Sequence, residues 1–117
     1  METITTFNRI KEIIEPIPAD QFCAGVFQNR DGQCCFIGHI QKHISGDAGG
    51  DNVGFGAVIL TKKFLCEKHG LLNASVFNVN DKVDVNTYTE PIIKDRLMHM
   101  IEDGIQWEES KLNSVNK

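Results

Sequence analysis

Cysteine and histidine are the residues of this chain best suited to chemistry, and they are gathered rather than scattered. Of four cysteines, Cys23, Cys34 and Cys35 lie close in sequence, with His39 and His43 at four-residue steps after Cys35. Cys66 and His69 form a second pair, three residues apart. On a helix, Cys35, His39 and His43 make a slowly drifting stripe. Cys66 and His69 would complete a tetrahedral zinc site with Cys35 and His39 if their two helices faced each other. Zinc takes thiolate and imidazole ligands at about 2.0–2.3 Å. The spacing fits no finger pattern, however, and the plainer expectation is that buried cysteines pack as small apolar groups while the histidines face water.

A thiol nucleophile is the second chemistry. A cysteine at a helix N-terminus has its thiolate stabilised by the helix dipole, and a nearby histidine can take the proton. Cys34 and Cys35 both suit that position, His39 is one turn on, and Asn80 or Asp81 could orient the imidazole. A base four residues along the same helix points along the surface rather than at the reacting atom, so core packing is again the plainer reading. Gly54-Phe55-Gly56 before a helix invites comparison with phosphate-binding turns. Ile59 stands where the third glycine of that fingerprint belongs, and Thr61-Lys62-Lys63 lies too deep in the helix for a P-loop. Asp47 and Asp51 fall short of a calcium loop. Asn80-Asp81 reads first as a pair fixing a turn through its own backbone, and second as a ligand-facing pair.

The elements that must position these residues are mostly helical. Ile4, Phe7, Ile10 and Ile14 line one face of a first helix, with Thr3 as N-cap and Pro16 and Pro18 as terminators. Asn29-Arg30-Asp31-Gly32 carries turn chemistry between two extended pieces, Cys23–Phe27 and Gln33–Phe36, which would pair as a small ribbon. Phe36, Ile37, Ile40 and Ile44 predict a second helix over 34–44. A glycine-rich loop over 45–56 separates it from a third helix with Ala57, Leu60, Phe64 and Leu65 inward, ended by Gly70. Val76, Phe77 and Val79 give a short β signal. Thr89-Glu90-Pro91 opens a last helix whose buried stripe is Ile93, Leu97, Met100, Ile101 and Ile105, with Trp107 on its final turn. The expected fold is mainly α with a minor β ribbon, a four-helix single domain over 1–107 followed by a frayed polar tail over 108–117.

Composition narrows the function classes. A chain of 117 residues, 41% hydrophobic and 24% charged, suits one globular domain. A net charge of -4 argues against binding phosphate backbones, so no nucleic acid is expected. Met1-Glu2-Thr3-Ile4-Thr5 has neither the basic start nor the apolar run of a signal peptide, and no apolar run is long enough to span a bilayer. The expectation is a cytoplasmic protein, away from membranes, with its cysteines reduced.

Phe22-Cys23-Ala24-Gly25, Cys35-Phe36-Ile37-Gly38-His39-Ile40 and Val79-Asn80-Asp81 ahead of Pro91-Ile92-Ile93 occur in an order that resembles a set of small uncharacterised proteins of bacteria and their phages. Those proteins share an aromatic-x-x-Gly step, a Cys-x-x-Gly-x-Leu helix start and an Asn-Asp pair. Ile40 stands here at their leucine, and Cys34 where they often carry tryptophan. The resemblance, over roughly residues 7 to 105, implies a compact helical domain of bacterial or phage origin. It brings no catalytic residues. The functional expectation is a regulatory or inhibitory binder that meets another protein or a second copy, without catalysis or cofactor. Phe55 and Trp107 are its anchors. The alternative is a zinc-binding or cysteine-dependent enzyme built on Cys35 and His39.

Overall fold

The N-terminal turn of α1 (Phe7–Ile14) forms where a side chain can cap it: the Thr6 hydroxyl accepts the Arg9 amide at 3.2 Å. The cap is Thr6 rather than Thr3, so Ile4 precedes the helix as a buried extended residue. The structure is a computed structural model describing residues 2–49, 54–83 and 85–115. After a 3-10 turn at Ala19–Gln21 come α2 (Phe36–Ser45), α3 (Phe55–His69), α4 (Val76–Asp81) and α5 (Ile93–Val115). Gly46 and Gly70 end α2 and α3 with φ near +83° and +68°, a backbone that favours glycine. Part of the predicted glycine-rich loop, residues 50–53, lies outside the described residues, and Asp51 with it.

The fold is mainly helical, and no strand occurs among the described residues. The predicted ribbon is reduced to two single bridges on Cys34, one to Phe22 and one to Gln28. Two local causes stop a ladder from growing. Gly25, with φ +82°, bends the first segment away, and the residue after the pairing Cys34 is already the N-cap of α2. The Asn29–Gly32 turn is present. Asn29 Oδ1 accepts the amides of Asp31 and Gln33, both at 3.0 Å.

The β signal at Val76–Val79 is overturned: these residues are α4. Ser75 caps the helix, and Asn78 returns a hydrogen bond to the Ser75 amide at 3.0 Å, a reciprocal capping box. Val76, Val79 and Asn80 are buried at helical spacing while Phe77 faces out. Burial at a three-residue period overrides the strand preference of valine.

The core joins Phe7, Ile10 and Ile14 of α1 to Phe36 and Ile40 of α2, Phe64 and Leu65 of α3, and Leu97, Met100 and Ile101 of α5. Gly104 lets α1 and α5 close up, because a Cβ there would sit 2.5–2.6 Å from the Phe7 ring. Arg96 is also buried, on the apolar stripe of α5. Its guanidinium donates to the carbonyls of Val79 (3.0 Å), Asn80 (2.6 Å), Glu90 (2.6 Å) and Pro91 (3.2 Å). It thereby fastens the end of α4 and the entry to α5. The last helix continues through Val115, across residues assigned by composition to a frayed tail. Tertiary ties hold it: Glu108 accepts the Phe7 amide at 2.8 Å, and Lys111 meets Glu67 at 2.9 Å. The predicted tail's last two positions, 116 and 117, lie outside the described residues.

Fully buried Tyr88 pins the segment before α5. Its hydroxyl donates to Asp103 Oδ2 at 2.9 Å and accepts from His69 Nε2 at 2.9 Å. Burial, with Asp103 beside it, pushes the phenol well above its ordinary range. Tyr88→Phe removes both bonds from a buried position while leaving its two partners in reach of water, and should lower the unfolding free energy by about 1 kcal/mol in urea denaturation. A loss under about 0.5 kcal/mol would mean that the hydroxyl bridge is dispensable.

Candidate functional site

The sulfur-rich segment and the Asn-Asp pair converge. Asn80, 1% exposed, accepts the Phe36 amide on Oδ1 at 3.0 Å and donates from Nδ2 to the Cys23 carbonyl at 3.0 Å and to Asp81 Oδ1 at 2.8 Å. Its role is structural, yet the bonds are long-range rather than confined to a local turn. Asp81 Oδ1 also accepts the Gly25 amide at 3.1 Å. Cys35 is the N-cap of α2, its Sγ accepting the Gly38 amide at 3.4 Å. A Cβ on Gly38 would run into the Phe27 carbonyl oxygen, which accepts the Cys35 amide. The Cys-x-x-Gly motif is therefore a docking device: the cysteine caps the helix, and the glycine admits the neighbouring backbone.

These elements enclose a cleft of about 390 Å³ lined by Gly25, Val26, Phe27, Cys35, Phe77 and Asp81. Val26, Phe27 and Phe77 are exposed around it, and Cys35, 4% exposed, forms its floor. Cys35 and Asp81 thus line one cleft, but Asp81 was expected to orient the His39 imidazole. His39 does not join them. Its Nε2 lies 2.7 Å from the Gln21 carbonyl, an acceptor only, so that nitrogen carries the proton, and its ring packs against Phe22. As a cap residue, Cys35 precedes the helical stripe on which His39 was expected to follow it. Burial pushes the Cys35 thiol up, outweighing the amides of Gly38 and Ile37. The site holds a buried thiol, and among the described residues no histidine lines the cleft beside it.

The four residues of the zinc alternative occupy separate places. Cys35 and His39 are held as above, His69 bonds Tyr88, and Cys66 is a half-buried thiol on α3. Among the described residues no group of three or more His, Cys, Asp and Glu side chains is placed to hold a metal ion.

A second surface lies along α3 and the C-terminal half of α5. A groove of about 490 Å³ is lined by Leu60, Lys63, Trp107, Glu108, Lys111 and Leu112 among others. Leu60, predicted inward, is half-buried here, and Thr61 takes the inward place, its hydroxyl bonded to the Ala57 carbonyl at 2.9 Å. Of the two predicted anchors, Phe55 is exposed. Trp107 is partly withdrawn, packed edge-on against Phe7 and Phe64 with Lys111 Nζ 4.4 Å from its ring centre. Sequence reasoning missed Ile59 (66% exposed) and Leu112 (67% exposed). The signal was available: the first turns of α3, Phe55–Leu60, are apolar at every position, more than one buried face needs. No protein-family model matches the chain, and no curated protein or solved structure matches it either.

Two measurements test this site. At neutral pH, iodoacetamide should modify Cys66 first, with Cys23, Cys34 and Cys35 labelled only on unfolding, by peptide mass mapping. Cys35 labelled ahead of Cys66 would restore the nucleophile. Burial also lowers His39 below its ordinary value of 6.5, against the opposing Gln21 bond, with Lys42 adding to the lowering. The folded pKa then lies below the unfolded one, so this contribution to stability is complete above about pH 6.5 and drains away as pH falls. The urea midpoint should drop between about pH 7.5 and 5.5, and His39→Gln, which keeps a donor for Gln21, should flatten the drop. An unchanged slope in the variant would place the effect elsewhere.

Proposed function

We propose that this protein is a binding module that docks another protein on the α3–α5 face and performs no bond chemistry. The observation that carries this reading is the uncovered apolar stripe of α3. Phe55 and Ile59 are exposed at i, i+4 spacing, and the stripe runs on through the Lys63 stem into the groove holding Leu60, the Trp107 edge and Leu112. An apolar groove beside a helix suits an amphipathic partner helix with anchors at i, i+3 and i+4. The groove carries Lys63 and Lys111 with Glu108 and Glu109, so a helix bearing both signs beside its apolar stripe fits best. Cytoplasmic residence belongs to the same proposal, supported by four cysteines that all stand as free thiols. Bacterial or phage origin rests on the motif order alone.

A photo-cross-linking residue at Leu112 should capture one discrete protein in bacterial cells, and the same residue at Ile59 should capture the same product. Placed at Asp31, in the distant turn, it should not. Ile59→Asp should cut the Leu112 product at least about tenfold. Equal products from all three positions, or none, would remove the docking face. A product of twice the chain mass would replace the foreign partner with a second copy.

A further inference from the structure

We infer that the cleft between the 22–34 segment and α4 binds a small organic cation, an ammonium group carried on an apolar body. The inference stands apart from the α3–α5 docking face and uses none of its residues. The cleft volume, about 390 Å³, lies within the range of small-ligand sites, roughly 300–1,000 Å³. Its walls are apolar side chains, Val26, Phe27 and Phe77, and two of these present aromatic rings, whose faces attract cations. Among the described residues Asp81 is the one charged group lining it. Gly25 and Asn80 both bond Asp81 Oδ1, so the carboxylate is oriented before any ligand arrives. Among the described residues nothing bonds Oδ2, which leaves one anionic acceptor at an apolar wall. An anion would find no such welcome. The first amides of α2 are already taken, Phe36 N by Asn80 and Gly38 N by Cys35 Sγ.

The thiol at the floor supports the same assignment. Cys23 Sγ has the Gln33 carbonyl at 3.3 Å and Cys34 Sγ the Gly32 carbonyl at 3.8 Å as acceptors, whereas among the described residues the Cys35 S–H has none. A neutral thiol with an uncommitted proton, beneath aromatic walls, is a soft and polarizable floor for an apolar body. The charge then rests at the rim on Asp81, where water can still reach it.

The test is titration of the whole isotopically labelled chain, followed by amide resonances. Phenethylammonium should shift Gly25, Val26, Cys35 and Phe77 saturably. Phenylpropionate, similar in shape and opposite in charge, should not. Asp81→Asn, which keeps an Oδ1 acceptor for Gly25, should weaken the amine at least about tenfold, the worth of one charge-assisted hydrogen bond. Phe77→Ala, at an exposed helix position, should weaken it by a smaller factor while leaving the remaining spectrum intact. A short peptide with N-terminal phenylalanine offers the same ammonium and ring. Tighter binding of the peptide assigns the cation to a chain terminus, and tighter binding of the free amine assigns it to a small molecule. Equal shifts from amine and carboxylate, shifts from neither at tens of millimolar, or an Asp81→Asn variant with unchanged affinity would overturn the inference.

Discussion

One buried amide holds the sulfur-rich corner together. Asn80 reaches α2 through the Phe36 amide and the 22–34 segment through the Cys23 carbonyl, while its own carbonyl receives Arg96 from α5. Each group lies in a region with little water to substitute, where an unmade hydrogen bond costs about 1–3 kcal/mol. The side chain supplies an acceptor and two donor hydrogens from one planar group, which aspartate, leucine or serine could not reproduce. Three elements are thereby fixed in a single register, in which Cys35 caps α2 and Asp81 is oriented by Asn80 and Gly25.

Arg96 extends the same logic. Its four acceptors are all main-chain carbonyls, and no carboxylate pairs with it among the described residues. Burial lowers its pKa, with Glu90 and Asp81 opposing from a distance. A guanidinium presents donors in a fixed fork, so it can satisfy carbonyls from the end of α4 and the approach to α5 together. A lysine at this position would reach fewer of them, with no planar geometry to hold the two segments apart.

The parts of the fold legible in the sequence were those governed by local periodicity and punctuation. The stripes of α1 and α5, Gly70 after α3 and the Asn29–Gly32 turn are decided within a few residues. What escaped was decided at a distance. Val76 and Val79 have strand-like side chains, and their burial beneath α5 with Asn80, seconded by the local Ser75–Asn78 cap, makes the helix the better answer. Cys35 and Asp81 were legible as residue types but not as lining of one cleft, because 46 positions separate them in sequence and only tertiary packing, with Asn80 as its polar tie, brings them together. His39 was misread because a four-residue spacing implies a shared face only when both residues lie inside the helix. Cys35 is its cap. Arg96, between Ile93 and Met100 on an otherwise apolar stripe, was the sequence's overlooked sign of a buried polar knot.

The bond from Glu108 to the Phe7 amide brings the start of the first helix beside the far half of the last. Thr6 and Asn8 line the same groove as Leu112. One wall of that hollow is therefore supplied by the run-in to the first helix, where Ile4 is buried and Glu2 pairs with Arg9. Trimming the chain back to Asn8 would strip that wall along with the Thr6 cap, so shortened versions of the protein are poor reporters of the hollow.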